Sequence, residues 1–130
     1  MNLRPATLDD MALLYRWRND PQTIRALPNP RGVMWEEHRR WMLDRVARPG
    51  FYIAELEDHP VATLRLEPRL EVAIIVAPEA RGRGIGPQAL RLAGEAGPLL
   101  ARIRSDNPAS ITAFERAGFS KVPEWLYERL

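Results

Sequence analysis

The spacing of apolar and polar positions divides the chain into short blocks. Leu3 to Thr7 predicts a first strand, and Leu8-Asp-Asp opens an amphipathic helix through Met11, Leu14, Tyr15 and Trp17 that closes near Asn19-Asp20-Pro21. From Pro21 to Gly32 the chain holds three prolines and one glycine, which predicts a long irregular loop. Trp35 to Val46 then carries apolar or partly apolar residues at positions 35, 38, 41, 42 and 46, the spacing of a helix packed on one side. Arg48-Pro-Gly50 closes that helix. Phe51 to Leu56 and Val61 to Leu66 predict a hairpin joined by Glu57-Asp-His-Pro60. Val72 to Val76 is continuously apolar, as expected of a central strand buried on both faces, and Pro78 ends it. The helix from Ile85 puts Ile85, Ala89, Leu92, Ala93 and Ala96 on one face, tolerates Pro87 in its first turn and stops at Gly97-Pro98. Leu99 to Ile103 is a short apolar strand, a further helix follows from Asn107, and Phe119 to Val122 and Trp125 to Leu130 are the last two strands. The pattern supports an α/β or α+β fold.

At 130 residues the expectation is one domain spanning residues 1–130. Formal net charge is only +2, and the 18 arginines against the single Lys121 are scattered, which reads as a solvated face and argues against nucleic acid as a partner. The absence of cysteine excludes disulfides, thiolate metal sites and a Cys acyl-enzyme, so group transfer by this chain would be direct. Apolar runs are only a few residues long, and Met1-Asn-Leu-Arg-Pro has no basic or apolar leader, so the expectation is a cytoplasmic protein with no membrane partner. His38 and His59 are too few and too far apart for a metal site, and they read as a helix-face and a turn residue.

The chemistry concentrates where the apolar strand ending at Val76 runs through Ala-Pro-Glu-Ala into Arg81-Gly-Arg-Gly-Ile-Gly86 and a helix. A glycine turn at a helix start leaves backbone N–H groups pointing one way, and the helix dipole adds partial positive charge, so this is a seat for phosphate. Gly82, Gly84 and Gly86 let the backbone take unusual φ values and approach a pyrophosphate, while Arg81 and Arg83 add full charge. A Rossmann dinucleotide site is the rival reading of Gly84-x-Gly86-x-x-Ala89. It is disfavoured because the glycines follow the strand by eight or more residues and only some forty residues remain.

A second segment lies downstream: Asn107-Pro-Ala-Ser-Ile-Thr-Ala-Phe-Glu-Arg-Ala-Gly118-Phe119. Together the two segments resemble the GNAT superfamily of acyl-CoA-dependent N-acetyltransferases, which pair Arg/Gln-x-x-Gly-x-Gly with Asn-x-x-Ser/Ala-x-x-x-(Phe/Tyr)-x-x-x-Gly-Phe. The resemblance implies a mixed, centrally split sheet of about six or seven strands flanked by about four helices. It implies acetyl-CoA as cosubstrate, no metal, and transfer of acetyl to a primary amine. The loose likeness of Trp17-Arg-Asn-Asp-Pro21 and Glu36-Glu-His-x-x-Trp41 to acceptor-side segments of relatives points to an amino sugar or a nucleotide-linked amino sugar. Protein N-termini and aminoglycosides are the alternative acceptors, and a non-catalytic acyl-CoA sensor is the alternative outside catalysis.

Residue by residue, the resemblance assigns the turn Arg81, Gly82, Arg83, Gly84, Ile85 and Gly86 to the coenzyme pyrophosphate, and Ile74, Ile75 and Val76 to its pantetheine arm. Pro87 departs from the pattern and removes one N–H donor, a loss of roughly 1.5–3 kcal/mol before compensation. Asn107 matches a coenzyme contact, or is a helix cap, a role that Ser105 or Asp106 could also fill. Glu71, at the start of the central strand, is the candidate base or else a solvated strand end, with Glu67 in reserve. Where many relatives carry a proton-donating tyrosine this chain has Phe114; Ser110, one turn earlier, resembles the serine proposed as acid in some ribosomal-protein acetyltransferases and is the candidate acid, with water as the alternative donor and helix packing as the rival role of Ser110. Trp17 and Trp41 read as core rather than pocket. With the chain stopping inside the expected last strand, an exposed edge covered by a second subunit, a homodimer, is the corresponding expectation.

Overall fold

The computed structural model describes residues 1–27, 29–67, 71–95, 97, 99–103, 106–121 and 126–129. Ala96, Pro98, Ser105, Val122, Trp125 and Leu130, which figured in the expected elements or caps, lie outside the described residues.

Strand β1 (Asn2–Pro5) leads to a 3₁₀ turn at Leu8–Asp10 that runs straight into α1 (Met11–Arg18). Thr7 starts this turn with a reciprocal cap: its hydroxyl accepts from Asp9 N–H and the Asp10 carboxylate accepts from Thr7 N–H. Burial would raise the Asp10 pKa, but bidentate hydrogen bonds from Arg4 at 2.8 and 2.9 Å and the Thr7 N–H hold it below the usual carboxylate range.

The stretch expected to be irregular begins instead with a helix, α2 (Pro21–Ala26). Asp20 caps it by accepting from Thr23 N–H at 3.1 Å, and Pro21 occupies the first helical position, where proline's fixed φ and missing N–H cost nothing. The proline counted against a helix is therefore its first residue. The same Asp20 carboxylate also receives Arg81, so Asp20→Ala should lower the melting temperature and loosen α2 from the Arg81 turn; a thermal melt followed by circular dichroism checks it.

Helix α3 (Trp35–Val46) buries His38, Met42 and Arg45, whereas Trp35 and Trp41 stay 42% and 36% exposed. Their rings meet Tyr15 and Phe51 edge-on at 5.1 and 5.4 Å, forming an aromatic border instead of a core stripe. Trp17, at 1% exposure, is core as expected.

Strands β2 (Phe51–Leu56) and β3 (His59–Leu66) form the expected hairpin, with a tighter connection. Only Glu57 and Asp58 turn the chain, both at positive φ (52° and 65°), and His59 already pairs with Leu56. Strand β4 (Val72–Val76) pairs with β3, giving an antiparallel sheet in the order β1-β2-β3-β4. After a 3₁₀ turn at Pro78–Ala80 come α4 (Ile85–Gly94), β5 (Leu99–Arg102), α5 (Pro108–Arg116), β6 (Ser120–Lys121) and β7 (Leu126–Arg129). The last three strands make a second sheet in the order β5-β7-β6. Among the described residues β7 is therefore interior, with β6 at an outer edge, contrary to the edge expected at the last strand.

The two sheets touch through one parallel bridge, Glu71 opposite Leu100, and among the described residues no ladder continues it. This is the split of the sheet. It explains why β4 is not the fully buried strand expected: Val72 is buried, but Ile74, Ile75 and Val76 are only half-buried because cavities lie against them. Alternation along the pleat sends Phe51, Thr63, Arg65 and Ile75 towards α1 and α3, and Ala62, Leu64, Ile74 and Val76 towards α4. Helix α4 meets the sheet through Ile85, Ala89, Leu90 and Ala93; Leu90, not Leu92, points inwards.

Candidate functional site

The glycine turn starts α4 in the left-handed region. Gly82 and Gly84 have φ of +75° and +73°, and a Cβ at either would meet nothing within 4 Å. Any side chain there would project into open space beside the helix start, which is room that a phosphate can use. Gly86 differs from expectation: it is helical with ordinary φ, and a Cβ would come to 3.8 Å of Val76 and 3.9 Å of Ala113. Proline at 87 leaves the N–H groups of Ile85 and Gly86 as the first-turn donors, with Gln88 N–H already bonded to Gly84 C=O. Two free donors, a dipole end and two bare glycines fit a pyrophosphate.

Arg81 does not supply the expected charge. Its guanidinium is bonded to Asp20, to Thr23 Oγ1 at 2.8 Å and to Gln22 Oε1 at 3.2 Å, so it fastens the turn to α2. Arg83 is exposed beside the turn and off the cavity wall.

A cavity of about 470 Å³ runs from this turn between α2, the end of β4 and α5. It brings together Ile74, Ile75, Val76, Gly82, Gly84 and Gly86 with Asn107, Ser110 and Phe114 from the second motif, although some twenty residues separate the two segments. Asn107 caps α5: its Oδ1 accepts from Ser110 N–H at 3.2 Å, and its Nδ2 donates to Ser110 Oγ at 2.8 Å and to Ala26 C=O at 3.5 Å. Asn107 is thus the helix cap, and it also lines the cavity. The Ser110 oxygen is an acceptor in this pair, which leaves its O–H to donate. Phe114 is buried, with its ring edge-on to Phe119 at 5.0 Å, and contributes wall but no proton. The α2 wall, with Thr23, Ala26 and Leu27, was missed by sequence reasoning; the Asp20-Pro21 cap pair was its signal.

A second cavity of about 380 Å³ lies on the α1/α3 side, and Leu27 and Ile75 line both. The two therefore border one another at Leu27 and at Ile75 of β4. Trp41, expected in the core, is part of this second wall together with His38, Arg18, Arg31, Glu37 and Arg65. Its indole carries the Arg65 guanidinium 5.2 Å above the ring centroid. The His38 Nε2–H donates to Met11 C=O at 2.9 Å, so Nδ1 is the unprotonated nitrogen. Burial, opposed by that hydrogen bond and helped by nearby Arg18, holds the imidazole below its ordinary pKa and therefore neutral at pH 7. Glu37 is paired with Arg31 at 2.8 Å, which depresses its carboxyl.

Glu71 lies off the lining of both cavities. It sits at the sheet's bridging point, on the pleat face of Arg65 and Ile75, and its charge supports the Arg65 guanidinium. Ser110 is on the wall of the first cavity, so the structure does not bring the two catalytic candidates onto one wall. Glu67 is held between Arg65 at 3.3 Å and Arg45 at 3.6 Å, which commits its carboxylate. Among the described residues no group of three or more His, Cys, Asp or Glu side chains could hold a metal, and no helix is long and apolar enough to cross a membrane.

The family model of the GNAT acetyltransferase domain matches residues 1–120. The chain belongs to the GNAT family. No curated protein sequence matches it significantly. Among solved structures, an acetyltransferase of the GNAT family from Bacillus anthracis superposes with a TM-score of 0.83 at 15% identity, covering 98% of this chain and 93% of that one. Aminoglycoside acetyltransferase AAC(6')-Ib in complex with coenzyme A and kanamycin gives 0.77 at 18% identity, with coverage of 98% and 93%. Ribosomal-protein-alanine N-acetyltransferase from Brucella melitensis gives 0.72 at 27% identity, covering 100% and 99%. The GNAT layout, with its split sheet and a glycine turn opening the helix after β4, is the architecture described above.

Proposed function

We propose that this GNAT chain moves an acetyl group from acetyl-CoA directly to a primary amine of a small molecule. The observation that carries the reading is a pair of neighbouring cavities that share Leu27 and Ile75 as lining, one ending at the open start of α4 and the other walled by polar and aromatic side chains. Bound acetyl-CoA supplies the activated thioester. The backbone N–H groups of Gly82 to Gly86 hold the pyrophosphate. The outer edge of β4, unpaired by a strand beyond the Glu71 bridge among the described residues, offers Ile74 to Val76 to the pantetheine arm, as an added strand would be held. Solved relatives complexed with coenzyme A or acetyl-CoA support acetyl-CoA as the cosubstrate.

The amine must lose a proton to attack. We assign this to Glu71 acting through water from the strand start, and the return of a proton at the sulfur side to Ser110 Oγ–H. One observation favours a second base: His38 is neutral and already on the acceptor wall. The acceptor class we assign is an amino sugar, free or nucleotide-linked. Likeness to the Brucella enzyme supports a protein N-terminus as the alternative, and likeness to AAC(6')-Ib an aminoglycoside. Phe114 in the place of a proton donor supports the remaining reading, a non-catalytic acyl-CoA-binding domain.

Release of coenzyme thiol, followed against a panel of amino sugars, nucleotide-linked amino sugars, aminoglycosides and short peptides, tests the activity. Turnover on one class names the acceptor; silence with acetyl-CoA bound supports the non-catalytic reading. On the active substrate, Glu71→Gln should lower kcat by roughly 10²–10⁴ while His38→Gln changes it less than about fivefold. The reverse pattern moves the base to His38.

A further inference from the structure

The second cavity is more basic than an amine pocket requires. Its described wall carries Arg18, Arg31 and Arg65 against one carboxylate, Glu37, and that carboxylate is spent on Arg31 through bonds of 2.8 and 3.2 Å. Arg65 is balanced from outside by Glu67 at 3.3 Å and fixed in orientation by the Trp41 ring beneath it. Arg18 differs from both. One Nη donates to Arg31 C=O at 2.7 Å, and among the described residues no carboxylate lies within ion-pairing distance of it. Burial, and the like charges of Arg31 and Arg65, all weigh against its protonated form, with Glu37 the opposing charge. A guanidinium held so is short of an anion, and its planar donors match a carboxylate or phosphate edge.

We propose that the acceptor carries an anionic group, phosphate or carboxylate, in addition to its amine, and that Arg18 and Arg65 seat that group in the second cavity. The inference rests on the acetyltransferase reading and narrows its substrate class. A polycationic acceptor, by contrast, would set further positive charge beside three arginines, where each like charge in a partly desolvated cavity opposes binding. An amino sugar linked to a nucleoside diphosphate meets the requirement, as does a peptide with a free carboxylate near its N-terminus.

The test is equilibrium binding to protein saturated with coenzyme A, so that phosphates cannot use the coenzyme cavity. UDP-glucosamine is compared with glucosamine, L-alanyl-L-alanine with its amide, and kanamycin is the polycation. The anion-bearing member of at least one pair should bind about tenfold tighter or more. Which pair responds tells phosphate from carboxylate. That advantage should vanish in Arg18→Gln and return in part in Arg18→Lys, with coenzyme affinity unaltered in both. Equal affinities within both pairs in the wild-type protein, an advantage that survives both Arg18→Gln and Arg65→Gln, or tighter binding of kanamycin than of either anion-bearing probe, would overturn the proposal. Thiol release, run on the same probes, separates the two claims. An anion advantage without acetyl transfer leaves the seat and removes the enzyme; transfer without an anion advantage does the reverse.

Discussion

Replacing Gly84 with valine should raise the Kd for coenzyme A by about a hundredfold or more while the protein stays folded. At φ +73° a β-branched residue costs roughly 1–2 kcal/mol, against a typical domain stability of about 5–15 kcal/mol. The new Cβ stands in open space, with no atom within 4 Å of it. The side chain fills the space through which a pyrophosphate approaches the N–H groups of Ile85 and Gly86. Two charge-assisted hydrogen bonds, at roughly 1.5–3 kcal/mol each, correspond to a loss of two to four orders of magnitude in affinity. Pro87 has already removed a third donor, so the site has little reserve. Isothermal titration with coenzyme A and a thermal melt on the same samples check both halves. A Kd within threefold of wild type would show that the pyrophosphate lies elsewhere. Gly86→Ala makes the contrast: with helical φ and ordinary contacts at 3.8 and 3.9 Å, it should raise stability by up to about 1 kcal/mol.

The largest effect on stability belongs to Arg45, which is 2% exposed. Its Nη1 donates to Arg48 C=O and Pro49 C=O at 3.2 Å each and its Nη2 to Leu66 C=O at 3.4 Å, while Nε reaches only ion-pair distance, 3.6 Å, from Glu67. One side chain therefore ties the end of α3 and the Pro49 turn to the end of β3. The guanidinium also lies 5.6 Å over the Phe51 ring. Arg45→Ala leaves three carbonyls without this donor, one carboxylate with half its pairing, and a void. A cost of about 3–5 kcal/mol is expected, a fall in Tm on the order of 10–20 °C. Arg45→Met keeps the volume and should lose less, because only the polar part of the penalty remains. A Tm shift below about 3 °C for the alanine variant would mean that water substitutes for the guanidinium.

Arg45 also shows how the reading of the arginines fell short. A scatter of 18 arginines with net charge +2 gives no patch in one dimension, and a solvated face is the natural reading. In the folded chain Arg45 is buried, Arg81 is a clasp between the glycine turn and α2, and Arg18, Arg31 and Arg65 converge on one cavity from three parts of the sequence. Helix α2 escapes a count of helix breakers, because proline directly after Asp20 is a helix starter. Trp41 stands on a cavity wall and not in the core, because apolar spacing tells which residues share a face, not whether that face meets core or cavity.

What the sequence determined by itself was local and covalent in kind. The period of apolar residues set the strands β1 to β4 and the helices α1, α3 and α4 to within a few residues, and glycines at 82 and 84 marked the turn because few other residues tolerate positive φ. The absence of cysteine decided that no thiolate of this chain can carry the acyl group. The paired motifs carried the family. The rest depends on distance through space between residues far apart in the chain, which the folded arrangement alone supplies. Among the described residues that arrangement decided which guanidinium groups meet a carboxylate and which do not, that β4 parts from β5 after one bridge, and that two cavities share Leu27 and Ile75 as lining. Charge pairing, burial and the opening of a sheet are sums over neighbours, and a chain has no spatial neighbours until it folds.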